Sequence, residues 1–266
     1  MKQASGRATQ AGFTLIEMAV VLVIIGLILG AVMIGKDVQR NAEYTKVKQK
    51  FFDQWVVAYN TYTQRTGVVV GDSQTQPRLM VNGENYTAGT GQPISGGNMT
   101  AVTAPDAICR GNAGQNMNRD REDAANFDLR DLMQRAGVRM PPGRAEGSED
   151  RYVYLDSNGN PQELQVCFQW NNPGTPSGSG NVMVLTGLTP DLARALDQMI
   201  DGKPDAREGL FRQQGIGNDT NGVPGAQWTS NNTHEFTSTT QASQTAGANL
   251  DEDQVAIVVA HYKMNQ

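Results

Sequence analysis

From Met18 to Ile34 the chain carries no charged residue, and the one acid at the edge of this block, Glu17, stands at its start. Counted from Phe13 the apolar stretch has 22 residues, close to the roughly 20 that span a bilayer. In lipid a backbone must satisfy its own polar groups, so such a segment is a helix. A carboxylate at membrane depth is costly, which makes Glu17 a functional-site hypothesis by default. Residues 1–12, MKQASGRATQAG, are polar and hold Lys2 and Arg7 with no acid. A secretory signal peptide also pairs a basic leader with an apolar run, but a shorter one. Small residues near the far end, Leu29 to Lys36, suit a signal peptidase, yet the pattern runs on into a helical repeat without a break. A plain signal anchor accounts for the length, but not for Glu17 or for the abrupt start after Gly12.

Val, Leu, Ile and Met dominate this helix, and Gly26 and Gly30 form a Gly-x-x-x-Gly pair that lets a neighbouring helix approach closely. Incidental glycine is equally common in membrane helices. Beyond Lys36, Val38, Ala42, Thr45, Phe52, Trp55, Tyr59 and Tyr62 recur at three- and four-residue steps, which predicts one apolar stripe. Arg40, Lys46, Lys48, Lys50 and Gln54 occupy the other face. One helix from about Phe13 to about Gln64 is expected, roughly 78 Å long. Its first half is apolar all round and its second half is amphipathic, a stalk attached to a head.

About 200 residues remain for that head, enough for one substantial core. Residues 65–150 are rich in Gly, Thr, Asn and Pro and hold one helix. Phe127, Leu129, Leu132, Met133 and Ala136 share its face, Asn126 caps its start, Gly137 its end, and Pro141-Pro142 block continuation. Tyr152–Leu155 and Leu164–Trp170 flank an Asn158-Gly159 turn and read as a β-hairpin. In its second strand Leu164, Val166, Phe168 and Trp170 share one face, and Cys167 points the other way with Gln165 and Gln169. Val182–Leu185 is a third strand. Thr189-Pro190-Asp191 opens a helix with Leu192, Leu196, Met199 and Ile200 as its buried side. Residues 214–250 read as a long exposed excursion, and Val255–Ala260 as a central last strand.

No catalytic set emerges. The two histidines, His234 and His261, lie apart, and no Gly-x-Ser-x-Gly, Walker loop or His-Glu-x-x-His occurs. Asp156 to Asn160 starts like a calcium loop, but position twelve is Cys167 rather than a glutamate, so it reads as turn chemistry. Asp201, Asp205 and Glu208, or Asp219 and Asn221, are calcium candidates set against the plainer reading of solvated turn carboxylates. No metal or cofactor is assigned. The net charge is −5, with no basic cluster beyond the stalk, and no specific nucleic acid is expected.

The residues Gly12-Phe13-Thr14-Leu15-Ile16-Glu17 resemble the processing site of type IV prepilins and related pseudopilins. The likeness covers residues 6–35 and weakens beyond them. It implies cleavage between Gly12 and Phe13 by a prepilin peptidase, N-methylation of Phe13, and Glu17 as fifth residue of a mature chain of charge −7. The proline that many major pilins carry late in the helix is missing between Gly30 and Gly35. The resemblance implies an α+β fold, a long helix packed on an antiparallel sheet. It divides the chain into leader 1–12, transmembrane and assembly helix 13–35, amphipathic continuation 36–64 and globular head 65–266. The precursor sits in the inner membrane with its head in the periplasm, and the mature form in a surface or periplasmic filament. Implied partners are copies of itself, other pilins, the peptidase and an assembly platform driven by a cytoplasmic ATPase. In that oxidising compartment Cys109 and Cys167 are expected to form a disulfide, worth about 4 kcal/mol in the chain-entropy model. Glu17 is expected to pair with the Phe13 α-amino group of an adjacent subunit, each charge neutralising the other. A pilus subunit is preferred to a type II secretion pseudopilin, since the major pseudopilin is usually smaller and the large tip one usually lacks the acid. A signal-anchored periplasmic binding or adhesive domain is the rival from another class.

Overall fold

The computed structural model describes residues 14–72, 74, 129–171, 175–217, 225–229 and 257–264. The chain divides into two units, Met1–Ala42 and Glu43–Gln266. One continuous helix, Leu15–Thr66, opens it, two residues on from the expected span. It consists of α1 (Leu15–Val47), a π-helical turn (Lys48–Phe52) and α2 (Asp53–Thr66). Gly67 ends it in the left-handed region at φ 75°, its N–H on the Thr63 carbonyl at 2.8 Å, as a C-terminal glycine does.

The π turn corrects the expected stripe. Tyr44, Val47 and Phe51 are buried on three- and four-residue steps, and Phe52, Trp55, Tyr59 and Tyr62 continue the rhythm one residue out of phase. A π turn inserts one residue into the helix, so both Phe51 and Phe52 reach the core. The Asp53 N–H bonds back to the Lys48 carbonyl, and the Lys48 ammonium holds Asp53 at 2.8 and 2.9 Å. Both are five-residue contacts, the spacing of a π turn. Upstream of it the phase differs from the one expected: Val38 and Ala42 are exposed, Thr45 is half-buried, and Tyr44 and Val47 carry the contact.

The head is a five-stranded antiparallel sheet in the order β1-β2-β3-β5-β4. The strands are β1 (Arg151–Leu155), β2 (Pro161–Asn171), β3 (Gly180–Leu188), β4 (Phe211–Gln213) and β5 (Val258–Lys263). The hairpin forms as the sequence indicates. Asp156 Oδ1 accepts the N–H groups of Asn158 and Asn160, both at 2.8 Å, and Gly159 takes φ 87°, so the Asp156–Asn160 loop is closed by its own side chain.

The second half of the long helix lies across one face of this sheet. Phe51 meets Tyr152 of β1, Trp55 and Tyr59 meet Phe168 of β2, and Phe52 packs edge-on against Phe211 of β4 and Tyr262 of β5. Leu164, Val166, Phe168 and Trp170 face this core, as their alternation predicts. Cys167 is buried outside that cluster, in a row with Val184 and His261 across β2, β3 and β5. Its expected partner Cys109 lies outside the described residues, as do His234, Asn126 and Phe127.

Two helices complete the core. α3 (Leu129–Arg135) buries Leu129 and Met133 and ends at Gly137, φ 65°. α4 (Pro190–Ile200) starts with Thr189 accepting the Leu192 N–H and Pro190 in the first turn, as read from the sequence. Its buried side needs correction: Leu192, Ala193, Leu196 and Asp197 are buried, whereas Met199 is exposed. The exposed excursion is also corrected, because Trp228 inside it is buried against Phe211. β5 lies between β3 and β4, an interior strand.

Gly187 sits in the irregularity between Leu185 and Leu188 of β3 at φ 78°, and a Cβ there would lie 2.0 Å from the Glu163 carbonyl oxygen. The Tyr154 hydroxyl donates to the Gly187 carbonyl at 3.1 Å and accepts the Thr189 N–H at 2.9 Å. The strand therefore kinks into α4 around one phenol. Gly187→Ala must move backbone as well as adopt an unfavourable φ, and a loss of about 3 kcal/mol is expected. Denaturant unfolding of the full chain in detergent, followed by tryptophan fluorescence, measures it. A shift under about 0.5 kcal/mol would refute the packing described.

Candidate functional site

The first unit offers an apolar helical surface and one carboxylate. From Leu15 to Gln39 every side chain is exposed, and the large apolar ones between Leu15 and Ile34 are 44–89 % accessible. Soluble monomers rarely leave more than a few hundred Å² of contiguous apolar surface uncovered. Among the described residues this is the one helix long and apolar enough to cross a membrane. That supports a membrane-anchored state. Gly26 and Gly30 lie four residues apart on it, with nothing within 4 Å of a Cβ added at either. They mark a notch in an otherwise bulky surface.

The helix begins on a reciprocal cap. Thr14 Oγ1 accepts the Glu17 N–H at 3.3 Å, and Glu17 Oε2 accepts the Thr14 N–H at 2.7 Å. Two of the N–H groups that a helix start leaves orphaned are satisfied by two side chains three residues apart. This role of Thr14 was not anticipated, although Thr-x-x-Glu before an apolar run is its sequence signature. The Glu17 carboxylate also lies at the positive end of the helix dipole. Its second oxygen, Oε1, takes no hydrogen bond from the described residues. Gly12 and Phe13 lie outside the described residues.

Among the described residues of the head, the polar clusters serve the fold. Ser177 Oγ lies 2.7 Å from His261 Nδ1, and Asn171 Nδ2 lies 3.1 Å from the same nitrogen. Asn171 Nδ2 also donates to the Gly178 carbonyl at 2.9 Å, which fixes the amide orientation and makes His261 Nδ1 an acceptor. The proton is therefore on Nε2. Burial pushes the His261 imidazole down to about 4, and all three residues are sealed from solvent, so no substrate reaches them. Asp201 Oδ2 accepts the N–H groups of Leu210 and Phe211, and Asp205 Oδ1 those of Arg207 and Ala226. These carboxylates close loops, and Asp205 is buried rather than solvated. Glu208 is ion-paired with Lys203 at 2.8 Å, and Asp219 and Asn221 lie outside the described residues. Among the described residues no group of three or more His, Cys, Asp or Glu is placed to hold a metal.

The cap is testable by hydrogen exchange on the full chain in detergent micelles. Thr14→Ala should speed exchange of the Glu17 amide about five-fold, the usual worth of a lost N-cap. Glu17→Val should free the Thr14 amide, whereas Glu17→Gln, which retains an acceptor, should leave it protected. Equal protection in all three variants would show that the cap does not form.

Residues 7–33 match the family model of the prokaryotic N-terminal methylation motif. No curated protein and no solved structure matches the chain. The matched segment contains Gly12, the Thr14–Glu17 cap, Gly26 and Gly30, and stops short of the head. The chain thus carries a prepilin-type N-terminal methylation motif on a pilin-like α+β fold, a long helix packed against an antiparallel sheet.

Proposed function

We propose that this protein is a structural subunit of a type IV pilus or pilus-like filament. The observation that carries the reading is the uncovered apolar helix with a single carboxylate at its start, inside a methylation motif and attached to a folded head. The chain is made as an inner-membrane precursor with the head in the periplasm. A prepilin peptidase cuts between Gly12 and Phe13, and the new amino group of Phe13 receives one methyl. An assembly platform driven by a cytoplasmic ATPase then moves the helix from lipid into a bundle of copies of this chain and other pilins. Its apolar surface exchanges lipid for neighbouring helices, and the Gly26–Gly30 notch admits one of them closely. Cys109 and Cys167 are joined in the oxidising compartment and brace the head. A type II secretion pseudopilin shares the motif; the size of this head and the presence of Glu17 favour the pilus subunit.

Intact mass tests processing and the disulfide together. The mature protein should begin at Phe13, weigh one methyl more than the cleaved chain, and gain two hydrogens on reduction. Gly12→Leu should retain the whole leader. A start after Ala31, or an uncut chain in cells that hold the peptidase, would overturn the reading.

Glu17 is proposed to use its remaining oxygen on the charged Phe13 terminus of an adjacent subunit. In a dry helical bundle that terminus has no water to solvate it, and an unpaired charge there is strongly disfavoured. Glu17→Gln keeps the cap and removes the charge; Glu17→Val removes both. Both variants should insert as well as wild type, because losing a carboxylate eases entry into lipid. Both should yield at least about ten-fold fewer filaments in a shear assay read against the membrane pool. If Glu17→Gln assembles like wild type while Glu17→Val does not, the cap matters and the charge pairing is wrong.

A further inference from the structure

Segment 225–229 is held in the head by carboxylates and side-chain amides. Asp205 Oδ1 accepts the Ala226 N–H at 2.9 Å, and the Ala226 carbonyl accepts the Ala206 N–H at 2.9 Å. The Gln213 side chain brackets Thr229, donating to its carbonyl at 2.7 Å and accepting its N–H at 3.2 Å. Gly225 comes so close that a Cβ there would lie 1.7 Å from Asp205 Oδ2. At the centre Trp228 lies on Phe211, ring centroids 5.2 Å apart, and its Nε1–H donates to Asp197 Oδ2 at 2.9 Å.

Asp197 is the unusual member. It is fully buried on α4 and takes the Asp205 N–H, at 2.6 Å, on the same oxygen that receives Trp228. Its other oxygen, Oδ1, is buried and accepts nothing. One turn along the helix stands Asp201, whose negative charge acts on the Asp197 carboxyl. A fully buried carboxylate with an unpartnered oxygen and a second acid one turn away favours its protonated form. Burial, opposed by the Trp228 and Asp205 donors and reinforced by the Asp201 charge, pushes the Asp197 carboxyl up to about 7.

We propose that Asp197 is a proton-dependent latch: protonated, it bridges Asp201 and Trp228 and holds segment 225–229 in the head; ionised, it repels Asp201 and lets the segment open. Asp205 is held low because, although burial acts to raise it, the Arg207 and Ala226 N–H groups outweigh that, with Lys203 3.2 Å away. Lys203 is shared with Glu208. Tyr262, on the core face of β5, is raised by burial and by Asp201, and stays neutral. His261 faces the other side of the sheet and is already uncharged. The sign follows from linkage. The closed form binds the proton more tightly than an opened, solvated Asp197, so closure is strongest at low pH, weakens as pH rises from the ordinary carboxylate range toward about 7, and changes little above it. The latch rests on the head's geometry and stands or falls independently of the filament reading.

Hydrogen exchange of the full chain in detergent, corrected for intrinsic rates, reads the opening of segment 225–229. In wild type, opening should rise roughly 100-fold between about pH 5 and about pH 8.5, about ten-fold per pH unit below the Asp197 midpoint and levelling off above it, where both states are ionised. Asp197→Asn supplies an oxygen for the two donors and an N–H for Asp201, and should stay closed across that range. Asp201→Asn retains the acceptor for Leu210 and Phe211 but removes the charge, and should shrink the change and move it to lower pH. A pH-independent wild type, an Asp197→Asn variant with the wild-type slope, or an Asp201→Asn variant with an undiminished change would each overturn the latch. So would loss of protection in β2 and β3 in parallel with segment 225–229, which would mean global unfolding.

Discussion

Glu17 is the one charge between Leu15 and Ile34, and the N-terminal unit depends on how it is satisfied. A helix that starts near an apolar phase brings orphaned N–H groups with it as well as any acid it carries. Here the two problems offset each other. The carboxylate takes the Thr14 N–H, the Thr14 hydroxyl takes the Glu17 N–H, and the negative charge stands where the helix dipole is positive. The acid therefore has a partner inside its own chain before it meets any other. A cation brought to this end would complete a set already half made rather than rescue an isolated charge.

The π turn at Lys48–Phe52 solves a different problem, one of phase. A straight α-helix presents a stripe that drifts around its axis, and a sheet covers only one side of it. Inserting one residue resets the stripe, so that Tyr44, Val47 and Phe51 on one side of the turn and Phe52, Trp55, Tyr59 and Tyr62 on the other all reach the same core. The reset also lets two adjacent phenylalanines reach different strands, Phe51 to β1 and Phe52 to β4 and β5. The Lys48–Asp53 pair, at five-residue spacing, stabilises the turn from the solvent side.

Elements whose signals are local were legible in the sequence. The hairpin rests on the Asp156–Asn160 turn, the α4 start on Thr189-Pro190, the end of α3 on Gly137, and each was readable because the residues that decide it are adjacent. The apolar helix was legible because its composition admits no other solution in lipid. The stripe was half legible: the periodicity downstream of Phe52 was right, and the part upstream was misphased, since nothing in residue type announces a π turn. The burial of Trp228 within the 214–250 stretch was not legible, because it depends on Asp197, 31 residues away. Seen singly, an acid on a helix reads as solvent-facing and a tryptophan in a polar stretch as exposed. The Thr14–Glu17 cap is local too: Thr-x-x-Glu before an apolar run is its whole signature.

The same rule governs both ends of the molecule. Where the backbone leaves regular structure, it needs acceptors for its N–H groups, and this chain supplies them from carboxylates: Glu17 at the helix start, Asp156 in the hairpin loop, Asp201 and Asp205 after α4. A carboxylate is a strong acceptor with two oxygens, so one side chain closes a loop that would otherwise need several residues of ladder. The cost is charge, and charge accumulates where loops converge. Around α4 three such acids meet within nine residues, Asp197, Asp201 and Asp205, and two of them carry no cation. Full ionisation there would work against the packing that the acids themselves hold in place. One proton, on the most buried of the three, relieves the conflict without removing an acceptor. That requirement makes Asp197 the member whose state depends on pH, while Asp201 and Asp205 continue to serve as ordinary caps.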